Sequence, residues 1–345
     1  MKQSVLLLYT GGTIGMKTND ETGGLAPFNF GQIEEEVPEL KKFNVNIDTY
    51  TFDPLIDSSN VKPSLWVDIA TIIKDNHDNY DGFVVLHGTD TMAYSASALS
   101  FMLKNLDKPV IFTGSQIPIG VLRTDGKENL ISSIEIAVHK HKGKAAVPEV
   151  CIFFQNNLLR ANRTIKYSAE HFNAFRSENY PALATAGITI DYHDNYIRHT
   201  DSDFSSPIEI CTEMCEDVVV LDIFPGISRK VVSSILNIDG LKGVVMRTFG
   251  SGNAPTDDWL IEELENAIKK GIMILNVTQC PSGSVNMELY DTGKRLSKIG
   301  VISGHDITTE AAVTKMMFLL GQHLTKKQLK NDMLHSIRGE ITAKD

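Results

Sequence analysis

Two threonines each sit in a glycine turn straight after an apolar run. Thr13 lies in Leu6-Leu7-Leu8-Tyr9-Thr10-Gly11-Gly12-Thr13-Ile14-Gly15, and Thr89 follows Phe83-Val84-Val85-Leu86-His87-Gly88. In a parallel α/β sheet the strand ends converge on one crevice, which is where ligands bind. A glycine-flanked threonine there has an exposed hydroxyl and a backbone open to close approach. A hydroxyl becomes a nucleophile when a base accepts its proton, and acyl transfer also needs donors aimed at the developing oxyanion. Consecutive N–H groups in Gly11-Gly12-Thr13 and Gly88-Thr89-Asp90 are suited to that task. A lysine reaching Thr89-Asp90 would complete an activating set, because a carboxylate holds an ammonium and desolvation moves lysine towards neutrality. Spacing alone does not select that lysine.

Plainer readings stand beside these. The Thr10-Gly11-Gly12-Thr13 stretch is also what a strand-ending turn or a phosphate-cradling loop looks like. The dinucleotide fingerprint, however, needs its full glycine spacing and an acid about 20 residues on, and neither is cleanly present. Asp57-Ser58-Ser59-Asn60 has the composition of a cap for the Pro63 helix region. His87 reads as a packed residue or a structural hydrogen-bond donor, and no paired ligand suggests a metal. Arg247 and Lys166, taken singly, are ordinary salt-bridge residues.

Elements that alternate along the chain must position these residues. Buried strands are expected at 4–8, 83–86, 110–112 and 150–154, and helices at 63–73, 93–103 and 128–139. Continuous apolar strands between helices imply a parallel sheet covered on both faces. From Tyr192 to Pro207 the chain turns polar, the best linker candidate. A second α/β set follows, with strands expected at 218–223, 244–246, 272–277 and 301–302, and helices at 228–236, 257–269, 308–320 and 326–336. The division expected is 1–195, a linker at 196–212, and 213–345.

Composition narrows the function. The chain has 345 residues and a net charge of −10, enough for a sizeable core. That charge and the lack of a basic stripe argue against nucleic acid. The densest positive cluster, Lys140, Lys142 and Lys144, reads as a helix end, where cations suit the dipole. The first apolar run has about five residues, against roughly 7–15 for a signal core, and flows into the glycine turn, so it reads as a strand. No run approaches the roughly 18 apolar residues of a membrane span. Four scattered cysteines (Cys151, Cys211, Cys215, Cys280) make neither a disulfide framework nor a zinc site. A cytoplasmic protein is expected.

Together these residues resemble the bacterial L-asparaginases, most closely the cytoplasmic type I group. The resemblance runs through Tyr9-Thr10-Gly11-Gly12-Thr13-Ile14-Gly15-Met16, Asp57-Ser58-Ser59, Tyr80 to Tyr94, Pro109 to Pro118, and Asn162-Arg163-Thr164-Ile165-Lys166. It continues in Arg247-Thr248-Phe249-Gly250-Ser251-Gly252-Asn253-Ala254-Pro255 and Asn276-Val277-Thr278-Gln279-Cys280, so nearly the whole chain is covered. The paired Thr-Gly-Gly-Thr-Ile and His-Gly-Thr-Asp-Thr motifs are highly specific in this order and spacing.

The resemblance implies a two-domain α/β fold, with a larger N-terminal parallel-sheet domain and a smaller C-terminal α/β domain. It implies hydrolysis of L-asparagine to L-aspartate and ammonia without a cofactor or metal. Weaker glutaminase activity and a homodimer or dimer of dimers also follow from it. Carried over, Thr13 would be the nucleophile, with Thr89, Asp90 and Lys166 activating it. Asp57, Ser58 and Ser115, with Asp90, would hold the substrate's α-amino and α-carboxylate groups. A second asparagine site, acting allosterically, would fall at Arg247, Asn253 and Cys280. Two positions depart from the pattern. Leu25 stands where family members usually carry a lid tyrosine, so either another tyrosine serves, with Tyr9 nearby in sequence, or Thr13 is activated differently; a lid is expected over Thr18–Gly24. Ile165 stands where some allosteric members carry a threonine.

Two rivals remain. The asparaginase-like subunit of an archaeal Glu-tRNA amidotransferase carries an N-terminal extension, whereas Thr13 comes almost at once here, and an acidic surface suits no tRNA. A catalytically silent amino-acid sensor fits Leu25 but has no need of Lys166.

Overall fold

The computed structural model describes residues 2–18, 25–27, 37–198 and 206–342. It divides the chain into two compact units, Met1–Thr212 and Glu213–Asp345.

The first unit is built on an eight-stranded sheet. Its elements in chain order are β1 (Gln3–Tyr9), β2 (Val45–Thr51), α1 (Pro63–Asp75), β3 (Gly82–Leu86), α2 (Met92–Met102), β4 (Val110–Thr113) and α3 (Gly126–Val138). Then come β5 (Val150–Phe154), β6 (Asn157–Arg160), β7 (Ala184–Ala186) and β8 (Ile190–Tyr192). Across the sheet the order is β8-β7-β6-β5-β4-β3-β1-β2. Strands β1 to β5 run parallel. The rest are antiparallel.

The apolar runs explain the middle of this sheet. All residues of β3, β4 and β5 are buried, as parallel strands covered on both faces must be. The antiparallel extension β6–β8 and the edge strand β2 escape the apolar-run reading for a physical reason. β2 is half or fully exposed along its length, so it shows no continuous apolar stretch. β6 returns from β5 through a tight turn at Gln155 and Asn156, both with positive φ. The parallel strands follow the order 2-1-3-4-5, which reverses direction between β1 and β3. Outside the strand ends at such a switch point lies the expected binding crevice.

Register brings the turns together there. Tyr9 pairs with both Thr51 and Leu86, and Leu86 with Thr113, so the segments after β1, β2, β3 and β4 leave the sheet at one level. Glycine lets them touch through backbone. Gly12 has φ 91°, and a Cβ there would stand 2.6 Å from the Gly88 Cα and N. A Cβ on Gly11 would stand 2.3 Å from the Ile56 carbonyl oxygen. The Ile56 amide in turn donates to the Thr10 carbonyl at 2.8 Å.

Some local expectations are corrected. Asp57-Ser58-Ser59-Asn60 does not cap α1, whose N-cap is Lys62 with Pro63 inside the first turn. It forms its own 3-10 turn instead, Ser58–Asn60, capped by Asp57. The Lys140–Lys144 cluster lies beyond α3 in a small hairpin, Lys140–His141 against Lys144–Ala145, turned by Lys142 and Gly143 at positive φ. Of the expected linker 196–212, residues 199–205 lie outside the described residues. Glu209–Ile210 pairs antiparallel with Leu103–Lys104 inside the first unit.

The second unit is a four-stranded parallel sheet in the order β9 (Val218–Asp222), β10 (Gly243–Thr248), β11 (Met273–Thr278) and β12 (Ile302–Ser303). Its helices are α4 (Arg229–Leu236), α5 (Asp258–Lys269), α6 (Asp291–Ile299), α7 (Thr309–Gly321) and α8 (Lys326–Leu334). Ser228 and Thr308 cap α4 and α7 through their hydroxyls, and Thr325 with Gln328 forms a capping box on α8. The segment after α8 is tied to α7 by a fully buried ion pair, Lys315 Nζ to Glu340 Oε1 at 2.6 Å. No helix among the described residues is long and apolar enough to cross a membrane.

Replacing Gly12 by alanine is expected to destabilise the first unit by about 3 kcal/mol, combining left-handed strain with a backbone clash. Gly143→Ala is the control, since it also has positive φ (81°) but nothing within 4 Å of the new Cβ. Its loss should stay near 1 kcal/mol. Equal melting temperatures for the two variants would remove the close-approach argument.

Candidate active site

The converging turns enclose a cavity of about 480 Å³, lined by Thr13, Asp57, Ser58, Thr89, Asp90 and Lys166 among others. Thr13 opens a 3-10 turn, Thr13–Gly15, with Gly12 as its N-cap, so the hydroxyl-bearing residue starts a fresh turn just outside β1.

The lysine that spacing alone could not select is Lys166. It sits on a two-residue strand, Ile165–Lys166, paired with Phe175–Arg176. The preceding residues Asn162, Arg163 and Thr164 are buried, with the Thr164 hydroxyl donating to the Arg160 carbonyl at 2.7 Å. From this fixed base the ammonium donates to Thr89 Oγ1 at 2.9 Å and to Asp90 Oδ1 at 2.5 Å. The lysine side chain is 18% exposed and that of Asp90 65%. The pair therefore stands at the mouth of the site, where solvent weakens the charge attraction and geometry matters more.

On the opposite wall, Asp57 accepts from the amide and hydroxyl of Ser59, each at 2.9 Å. These bonds hold its carboxyl below the usual range, with the backbone amide the larger cause. Ser58 is buried, its hydroxyl against Gly88, where a Cβ would stand 2.5 Å away. The Thr91 hydroxyl donates to the Ser58 carbonyl at 2.7 Å, tying this wall to the Thr89 turn.

Ser115 is placed differently from the other site residues read from the sequence. It is 2% exposed, its hydroxyl has no partner among the described residues, and it is not among the residues lining the cavity. Its neighbour Gln116 does line it. Gln116 lies in the Gly114-Ser115-Gln116-Ile117-Pro118 stretch, for which the resemblance implies a role at Ser115 only. The signal that could have found it is a long amide side chain three residues past the end of the buried strand β4.

His87 supports the site from below. It is fully buried, with Nδ1 2.7 Å from the Gly88 carbonyl and Nε2 2.9 Å from Ser95 Oγ. Trp66 Nε1 donates to the same Ser95 oxygen at 2.9 Å. These partners define one tautomer: Nδ1–H donates to Gly88, and Nε2 accepts from Ser95. Burial pushes the imidazole down to about 4, so it is neutral. It is the structural hydrogen-bond donor expected from the sequence. Tyr9 also lines the cavity, and burial raises its phenol to about 12.

The lid expected over Thr18–Gly24 lies, from residue 19 on, outside the described residues. Leu25 pairs through its backbone with Thr18.

Arg247, Asn253 and Cys280 fall at or beyond the ends of β10 and β11 in the second unit. Arg247 pairs with Asp222 at 2.9 Å. Asn253 exchanges backbone hydrogen bonds with Phe249 at 2.8 and 2.9 Å. Cys280 is an exposed free thiol whose amide donates to the Thr278 hydroxyl at 3.0 Å. Asn276 braces the loop between them, accepting from the Thr248 hydroxyl at 2.6 Å and donating to the Gly252 carbonyl at 3.1 Å. Among the described residues, no group of three or more His, Cys, Asp or Glu side chains is placed to hold a metal.

Comparison with known proteins gives a consistent result. The family model for the asparaginase N-terminal domain matches residues 4–198, and that for the glutaminase/asparaginase C-terminal domain matches residues 217–333. L-asparaginase 1 of Escherichia coli is 42% identical over 100% of this chain and 99% of its own. L-asparaginase I of Vibrio cholerae superposes with a TM-score of 0.87 at 39% identity, covering 99% of this chain and all of the other. One polypeptide of the glutamyl-tRNA(Gln) amidotransferase of Pyrococcus abyssi is 32% identical over 98% of this chain, but only 76% of that polypeptide is matched.

The buried imidazole gives a pH prediction. Its folded pKa of about 4 lies below the ordinary 6.5, so the unfolded chain binds more protons between those values. Stability is then fully present above 6.5 and falls as pH drops towards 4, by on the order of 3 kcal/mol. Melting temperatures measured across this window should fall less steeply for His87→Gln than for the parent. Parallel curves would show that His87 does not titrate in this way.

Proposed function

The chain belongs to the asparaginase family of amidohydrolases, and on that premise we propose that it hydrolyses L-asparagine to L-aspartate and ammonia through an ester on Thr13. The observation that carries this reading is the Lys166–Thr89–Asp90 cluster, which opens onto the cavity that Thr13 also lines. A silent amino-acid sensor has no use for a lysine poised on a threonine hydroxyl.

The steps follow from the groups present. Thr13 Oγ attacks the side-chain amide carbon while its proton passes to the Thr89–Lys166 relay. The N–H groups of the glycine turns stabilise the oxyanion, and the proton returns to the nitrogen that leaves as ammonia. Water then attacks the aspartyl ester by the same relay, restoring Thr13. Asp57 and Asp90 suit the substrate's α-ammonium, and Ser58 and Ser115 its α-carboxylate. The Ser115 assignment rests on the resemblance alone, since its buried hydroxyl, without a partner among the described residues, does not line the cavity. Glutamine differs by one methylene, which a pocket discriminates by only about 1–3 kcal/mol, so weaker glutaminase activity belongs to the proposal.

The wider reading also rests on the family. It comprises a catalytic region over 1–195 joined through 196–212 to 213–345, a cytoplasmic location, and a homodimer or dimer of dimers. It includes activation by asparagine at Arg247, Asn253 and Cys280.

Thr13→Ala should abolish ammonia release while asparagine still raises the melting temperature, with its Kd within about tenfold of the parent. Thr89→Val should do nearly the same, and Lys166→Met should slow acylation. Turnover surviving in Thr13→Ala would sink the nucleophile assignment. In the parent enzyme, a sigmoidal dependence of rate on asparagine that becomes hyperbolic in Arg247→Ala would support the second site. A hyperbolic parent curve would remove it.

A further inference from the structure

Gln116 is held at both ends. Its backbone amide donates to both carboxylate oxygens of Asp125, at 3.1 and 3.0 Å, and the next amide, Ile117, donates to Asp125 Oδ1 at 3.1 Å. Asp125 is itself nearly buried, at the start of α3. The side chain then spans from the loop after Lys166 to the catalytic threonine. Nε2 lies 3.2 Å from both the Ala169 and His171 carbonyls, and Oε1 lies 3.3 Å from Thr89 Oγ1.

These contacts settle the direction of every proton in the chain. Carbonyls only accept, so the Gln116 amide must turn its NH₂ towards Ala169 and His171. Its oxygen then faces Thr89 and only accepts, so the Thr89 hydroxyl donates to it. The Lys166 ammonium only donates, so it gives a proton to the Thr89 lone pair. We infer that Gln116 is a positioning residue: it holds the Thr89 hydroxyl proton away from Lys166 at rest and presents the oxygen lone pair to the lysine.

This inference rests on the relay proposed above and deepens it. For Thr89 to pass a proton to Lys166, the lysine must first be neutral, and the hydroxyl must then leave Gln116 and turn. At 3.3 Å the Thr89–Gln116 contact is longer than the usual hydroxyl hydrogen bond of about 2.5–3.0 Å, so it is weak and readily exchanged. The bonds from Nε2 to the loop stay in place during that exchange, so Lys166 keeps its position while the proton moves.

The test compares ammonia release from L-asparagine across pH for the parent, Gln116→Met and Gln116→Glu, with melting temperatures recorded for each. The titratable groups lining the cavity are Tyr9, Asp57, Asp90 and Lys166. Asp125 and His171 adjoin Gln116 from the sides. Gln116→Met removes the acceptor and the donors at nearly constant length, and kcat should fall at least tenfold with KM within about threefold. Gln116→Glu keeps an acceptor towards Thr89 and adds a carboxylate that favours the Lys166 ammonium, so the acid limb of kcat/KM should move up by about one pH unit. If Gln116 only ties the loop, both variants should raise KM alike and leave the limb unmoved, which overturns the inference. Should the Met variant fail to fold, the pH limb of the Glu variant decides alone. Full turnover in Thr89→Val or Lys166→Met would instead sink the relay reading itself, whatever the Gln116 variants show.

Discussion

The site depends on backbone meeting backbone. The turn after β1 lies against the turn after β3 at Gly12 and Gly88, and against the segment after β2 at Gly11 and Ile56. At these points a side chain has no room, so the distance between the Thr13 turn and the Thr89 turn is set by main-chain contact and not by rotamers. Hydrogen bonds along the same seam, Thr10 to Leu86 and Ile56 to Thr10, keep the turns in register with their strands. Such a constraint suits chemistry that needs reacting groups within a few tenths of an ångström. It also explains why a glycine precedes both Thr13 and Thr89: the residue before each must surrender its side chain so that both hydroxyls can share one cavity.

Charges are sorted by what they do. Glu149 and Arg160 form a buried pair in the first unit, and Lys315 and Glu340 another in the second, each satisfied by further hydrogen bonds. Sealed pairs of this kind fix chain direction and are strongly disrupted if one partner is lost. The Lys166–Asp90 pair has the opposite character, open to solvent on its acidic side. Solvent screens its attraction, so the geometry of that contact matters more than its charge. Beneath it, the neutral His87 carries no charge that would oppose an ammonium in the cavity above. Its single tautomer keeps the Gly88 carbonyl engaged.

Much of this was legible in the residues. The buried parallel strands showed as apolar runs because both of their faces are covered, and the glycine turns announced the strand ends. Thr13, Asp57, Ser58, Thr89, Asp90 and Lys166 do come together around one cavity. What stayed hidden has physical causes. The edge strand β2 and the outer strands β7 and β8 lack the two-sided burial that makes an apolar run, and β6, though buried, offers only Leu158 and Leu159 between Asn157 and Arg160. Lys166 could not be picked from spacing, because its reach is set by a two-strand pairing and a buried segment far along the chain. Gln116 carries no charge and no nucleophile, so nothing in its type announced that it would bridge Thr89 to the lysine loop. The role of Asp125, the N-cap residue of α3 whose carboxylate accepts the Gln116 and Ile117 amides and makes no cap bond to the helix, is likewise a matter of how the chain turns.

On the proposed reading, recognition and chemistry share one support. The wall suited to the substrate's charged end, Asp57 and Ser58, and the turn that carries Thr89 and Asp90 meet where Gly88 touches the Ser58 hydroxyl and Thr91 bonds the Ser58 carbonyl. A substrate that engages Asp57 and Ser58 therefore presses on the same backbone that aims Thr89. A longer amide satisfies the charged end equally well and then carries its carbonyl past the oxyanion donors. Its penalty falls on the reaction step more than on binding, because the misplacement appears only where charge develops. Discrimination in this architecture is a matter of reach: the glycine contacts hold the two ends of the site a set distance apart, and the substrate must span it.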